Sequence, residues 1–136
     1  MGKKSKSNKK NNKSKKTTNK SNTSSGNDFP ISNKQRISIL TVSQLKRIPF
    51  LHNLSRMIEY QKNVEIDEWV ITNGCTTDED HDKFNEEIKE VTCKVPIKHV
   101  ASKDLAYRNI GAFRNLANRN AIGDIIVCMD DDDFYF

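Results

Sequence analysis

Four consecutive carboxylates, Asp130-Asp131-Asp132-Asp133, follow directly on the apolar run Ile125-Ile126-Val127-Cys128-Met129. Like charges this close repel, so the cluster is costly unless a cation or water screens it. A buried-type strand that ends in acidic residues is how an α/β fold presents hard oxygen ligands to a cation and a substrate phosphate. The plainer reading is a solvated acidic terminus, a frequent fate of charge runs. Two features weigh against it: the aspartates leave the strand without a turn, and Phe134-Tyr135-Phe136 follow where a solvated tail would carry polar residues.

Other patterns with chemical potential are weaker. Asp78-x-Asp80-x-Asp82 opens like a calcium loop, but Lys83 stands where that loop needs glycine and Lys89 where it needs a bidentate glutamate. The acidic run fits a helix amino terminus instead. His52, His81 and His99 have no spacing that makes a metal pair or a nucleophile dyad, and no glycine-rich phosphate loop is present. Cys75, Cys93 and Cys128 are odd in number and widely spaced, so they read as reduced thiols.

The elements that must position the aspartates alternate between strand and helix patterns. Residues 36–42 are a β-rich first strand, and a loop with Gln44, Lys46 and Arg47 leads to Pro49, suited to a helix's first turn. Phe50, Leu51, Leu54, Met57 and Ile58 fall on one face of that helix. Residues 68–72 make a second strand ending at Asn73-Gly74, and Thr77 caps a helix that buries Phe84, Ile88 and Val91. Residues 95–100 form a weaker strand, placed near an edge by Pro96. A long amphipathic helix over 106–121 turns Ile110, Phe113, Leu116 and Ala117 inward and stops at Gly123 in a left-handed conformation. Residues 124–129 are the final strand. Such alternation implies a parallel sheet with flanking helices, whose ligands sit at the carboxyl ends of the strands. Residues 41–47, 72–78 and 130–133 all fall there.

Composition separates two parts: a Lys/Asn/Ser-rich tail over residues 1–35 and a domain over 36–136. Residues 1–27 hold nine lysines, no acidic residue and almost nothing apolar, the signature of disorder. The whole chain is +5, and without those nine lysines it is −4, so the basic character belongs to the tail. A tail of this kind can hold a polyanion loosely; the simpler reading is a solvated extension, and nucleic acid is not an expected partner. No apolar run suggests a signal peptide or a transmembrane segment, which points to a cytoplasmic protein.

Gly111-Ala112-Phe113-Arg114-Asn115, Ala121-Ile122-Gly123-Asp124 and the strand running into Asp130-Asp133 with Phe134-Tyr135 resemble the nucleotide-sugar half of family-2 type glycosyltransferases with the GT-A fold. Residues 37–43 and 68–76 resemble that family's first two strands more loosely. The resemblance implies a partial GT-A, Rossmann-like sheet and an enzyme that transfers sugar from a nucleotide-sugar to an unknown glycan or protein acceptor. It implies donor binding by Thr41, Ser43, Asn73, Gly111, Arg114, Asp130 and Asp131. It also implies a divalent cation, Mn²⁺ or Mg²⁺, on Asp132 and Asp133. Arg114 would face the donor or brace the aspartates, and Gly111 would allow the helix to approach closely. Two departures stand out: Val42-Ser43-Gln44-Leu45 replaces Pro-Thr-Tyr-Asn, and Thr72 stands where the family carries a carboxylate. The family's acceptor region and catalytic base lie beyond the acidic cluster. The expectation is therefore a chain that transfers sugar poorly alone: a split enzyme completed by a second chain, or an inactive remnant that binds donor or a partner. A third alternative is a polyanion-binding protein acting through its tail.

Overall fold

Short local signals set most of the elements. A computed structural model describes residues 34–105 and 109–135. The tail through residue 33, residues 106–108 where the sequence pattern starts the long helix, and Phe136 lie outside these. β-Branched and apolar runs form β1 (Ile37–Ser43), β2 (Glu68–Asn73), β3 (Ile97–Val100) and β4 (Ile125–Cys128). Pro49 sits in the first turn of α1 (Ile48–Glu59). Helix α2 (Asp78–Glu87) starts where the Thr77 hydroxyl accepts from Asp80 N at 3.2 Å, with Asp78, Glu79 and Asp80 in the first turn. Helix α3 (Ile110–Asn120) starts where Asn109 Oδ1 accepts from Ala112 N at 3.1 Å.

All strand pairings are parallel and the order is β3-β2-β1-β4, so the chain is an α/β protein with a four-stranded sheet flanked by helices. On one face Ile39, Trp69 and Ile71 pack with Ile48, Leu51, Leu54 and Ile58 of α1 and with Phe84 of α2. On the other face Leu40, Val70 and Val100 pack with Ala117 of α3. The chain runs outward from β1 to β3, crosses to the other face through α3, and sets β4 on the far side of β1. The gap between the carboxyl ends of β1 and β4 is thus the topological switch point, where ligands of open parallel sheets sit. Among the described residues no helix is long and apolar enough to cross a membrane.

Several expectations are corrected. Phe50 and Ile110 do not face the core; they are 45% and 52% exposed, because the buried stripes of α1 and α3 are narrower than the sequence pattern suggests. The third strand starts only after Pro96, whose carbonyl is used by Trp69 N. The final apolar strand is not buried: Ile125, Ile126 and Val127 are 37–39% exposed, since β4 is an edge strand. Gly123 does not terminate a helix in the left-handed region. Helix α3 ends at Asn120 with an extended Ala121, and no glycine among the described residues has positive φ.

Gly123 is required for close approach instead. A Cβ there would lie 2.6 Å from Ser38 N, and Gly123 N donates to Ser38 Oγ at 2.8 Å. Ser38 Oγ in turn donates at 2.6 Å to the buried carboxylate of Glu68, which also accepts from Ile122 N at 2.6 Å. Gly123→Ala should therefore lower stability by about 1–3 kcal/mol, the usual cost of forcing an atom into packed surroundings. Chemical denaturation checks this, and an unchanged midpoint would show that the approach is not tight.

Candidate functional site

The β1–β4 ladder continues one residue beyond β4, with Met129 N donating to Leu40 O at 3.0 Å, and the chain then turns across the end of β1. That turn buries Asp131, whose side chain is only 1% exposed. Ser43 Oγ, the last residue of β1, donates to Asp131 Oδ2 at 2.5 Å, and Arg47 Nη1 donates to Asp131 Oδ1 at 2.8 Å. The same Arg47 nitrogen reaches Asp132 Oδ2 at 3.1 Å. Arg114, on α3, places Nη2 at 2.8 and 3.1 Å from the two oxygens of Asp130. These carboxylates hold both guanidiniums more firmly protonated than usual, through hydrogen bonds first and charge second. Asp130 N donates to the Tyr135 hydroxyl at 2.6 Å, and burial pushes that phenol's pKa up.

Beside the cluster lies a cleft of about 220 Å³, lined by Val42, Gln44, Arg47, Gly74, Thr76 and Phe113. Its floor is tied between strand ends. Gly74 N donates to Ser43 O at 2.7 Å, Gln44 Nε2 to Gly74 O at 3.3 Å, and Leu45 N to the buried Cys75 sulfur at 3.3 Å. Burial raises the pKa of the Cys75 thiol, which keeps it a neutral acceptor at the base of the Leu45–Arg47 turn. A Cβ on Gly74 would come within 2.8 Å of Val42 Cγ1, so only glycine fits there. The Thr72 hydroxyl, on the α3 side of β2, is buried with no hydrogen-bond partner among the described residues. A larger groove of about 810 Å³ runs along α1 past Tyr60 and Phe134; it touches the cluster only through Tyr135 and is lined by no carboxylate.

The structure separates the residues that the resemblance groups together. Asp130, Asp131, Asp132, Ser43 and Arg114 come together, and Asp133 is exposed next to them. Thr41 lies under Trp69, whose Nε1 donates to its hydroxyl at 2.9 Å, within the core and away from the cleft. Asn73 is buried, and its amide serves the β2–α2 turn, bonding Cys75 N, His81 O and Asn85 Oδ1 at 3.0 Å each. Gly111 is exposed on α3, and a Cβ there would meet only Asn109 Oδ1, at 3.2 Å, so no close helix approach depends on it. The residue given no role by sequence reasoning is Arg47. Its position just after the first strand, at a carboxyl end, is the signal that could have identified it.

Among the described residues no three His, Cys, Asp or Glu side chains are arranged to hold a metal ion. That arrangement still suits one class of site. Mg²⁺ and Mn²⁺ in phosphate chemistry take one or two carboxylates, with substrate oxygens and water completing the shell. Asp132, 48% exposed and held by a single nitrogen, has free oxygen lone pairs for such a role, with Asp133 next to it. No family model, no curated protein and no solved structure matches the chain. The geometry divides the four aspartates by task. Ser43→Ala should cost about 2 kcal/mol, because it strips a hydrogen bond from a buried carboxylate. Asp132→Ala should change stability by less than about 0.5 kcal/mol. Equal effects in urea denaturation would contradict the division.

Proposed function

We propose that residues 36–136 form the donor-binding part of a metal-dependent glycosyltransferase that takes a nucleotide-sugar. The observation that carries the reading is the convergence of Ser43, Arg47 and Arg114 on Asp130, Asp131 and Asp132 at the β1/β4 switch point, beside a cleft. Cleaving the anomeric C–O bond passes through an oxocarbenium-like transition state and leaves negative charge on the departing diphosphate. A divalent cation on Asp132 and Asp133 would supply Lewis-acid stabilisation of that charge. The chain's own residues do the remaining work. Ser43 holds Asp131 in place, Arg114 fixes Asp130 at the rim, and the cleft edged by Gln44 and Phe113 takes the nucleoside.

The open edge of β4 favours a second reading, a donor-binding module whose sheet is completed by a strand from outside residues 37–128, because natural edges are seldom as apolar as Ile125-Ile126-Val127-Cys128. The two readings share the donor chemistry and differ in whether the sheet needs a further strand. Calorimetric titration of the full chain with uridine, guanosine and adenosine diphosphates, with and without Mn²⁺, tests the common part. At least one should bind more tightly with metal, and Asp132→Ala should remove about 1 kcal/mol or more of that binding. Metal-independent isotherms for all three would sink the reading.

A further inference from the structure

We infer that Arg47 is a latch: it occupies the cation position of the acidic cluster in the free protein and passes to the diphosphate when a metal-bearing ligand arrives. This rests on the metal-dependent diphosphate reading above and adds an order of events to it. One guanidinium nitrogen, Arg47 Nη1, bridges two successive carboxylates, at 2.8 Å from Asp131 and 3.1 Å from Asp132. Asp131 cannot follow a departing partner, since it is buried and tied to Ser43, whereas the Arg47 side chain is 44% exposed and stands on a one-turn helix. Removing the guanidinium would leave Asp131 Oδ1 buried with no cation, a costly state that another positive charge relieves.

A divalent ion on Asp132 and Asp133 would repel a guanidinium that shares Asp132, so the two compete for that carboxylate. Arg47 therefore weakens the metal, and the metal weakens Arg47's hold, by the same factor. Arg47 also lines the cleft. Once displaced, its planar fork meets phosphate oxygens there, for which its geometry is suited. Arg114 has no such freedom of role, because it contacts Asp130 alone among the four aspartates and does not line the cleft. The consequence is a site that takes metal poorly by itself and well together with a diphosphate.

Titration of the full chain with Mn²⁺ alone, read by electron paramagnetic resonance of the free ion, compares wild type with Arg47→Gln and Arg47→Lys. Arg47→Gln should bind Mn²⁺ about fivefold or more tightly, and Arg47→Lys, which keeps the charge, should resemble wild type. With Mn²⁺ saturating, the order should reverse, Arg47→Gln binding uridine, guanosine and adenosine diphosphates more weakly than wild type. A merely structural role for Arg47 would not give opposite signs. Unchanged or weaker Mn²⁺ binding by Arg47→Gln overturns the latch, and metal-stimulated diphosphate binding by wild type would then leave the proposed function standing. Absence of Mn²⁺ binding in every protein, with or without diphosphate, overturns both. If Arg47→Gln does not fold, the wild-type Arg47 Nε–H nuclear magnetic resonance signal decides. It should shift with Mg²⁺ and diphosphate together, and a signal that stays put overturns the latch.

Discussion

The position of β4 depends on two buried carboxylates, one at each end of its single pairing with β1. Glu68 at the amino end accepts from Ser38 Oγ and Ile122 N, while Ser38 Oγ also accepts from Gly123 N. Asp131 at the carboxyl end accepts from Ser43 Oγ and Arg47. Apolar packing does little here, because Ile125, Ile126 and Val127 all remain partly open to solvent. A short apolar strand at a sheet edge would otherwise be free to slip in register. The polar ties remove that freedom, since moving β4 by one residue would take Ile122 N from Glu68 and draw Asp131 away from Ser43 and Arg47. The acidic cluster inherits its geometry from this fastening.

The same fastening explains the asymmetry of the cluster. Four carboxylates face two guanidiniums, and the balance is uneven: Asp131 is buried and doubly held, Asp130 and Asp132 are half-exposed and each paired with one guanidinium, and Asp133 is exposed. The proposed cation exchange would need both a fixed part and an accessible part. The two edges of the sheet differ in a related way. β3 is preceded by Pro96 and carries exposed Lys98 and His99, both of which discourage further pairing, while β4 carries nothing of the kind.

Much of the fold was legible in the sequence because its signals are local. Pro49 at the start of α1, Thr77 as the cap of α2 and the β-rich run of β1 are all read within a few residues, and strand–helix alternation implied the parallel sheet. The failures came from long-range geometry. Gly123 looks like a helix terminator next to α3, but its reason for being glycine is Ser38, on another strand. That the acidic run follows the last strand at the carboxyl end of the sheet was legible; the contacts of each aspartate were not. Asp130 to Asp133 are identical letters, and only a turn across the end of β1 makes Asp131 buried and Asp132 open. Thr41 and Asn73 were expected near the donor from the family resemblance, yet Trp69 covers one and the β2–α2 turn employs the other. Arg47 acquired its role through a contact 84 residues away along the chain.

The central claim is that the aspartates after β4 hold a divalent cation, and the chain offers a rival acidic stretch in Asp78, Glu79, Asp80 and Asp82 at the start of α2. Paramagnetic broadening of backbone amide resonances by substoichiometric Mn²⁺, with a nucleoside diphosphate present, locates the ion directly. The account predicts loss of signal from Asp130 to Asp133, Ser43, Gln44 and Gly74, with α2 spared. Broadening centred on Asp78 to Asp82, or spread evenly over all exposed carboxylates, would contradict it.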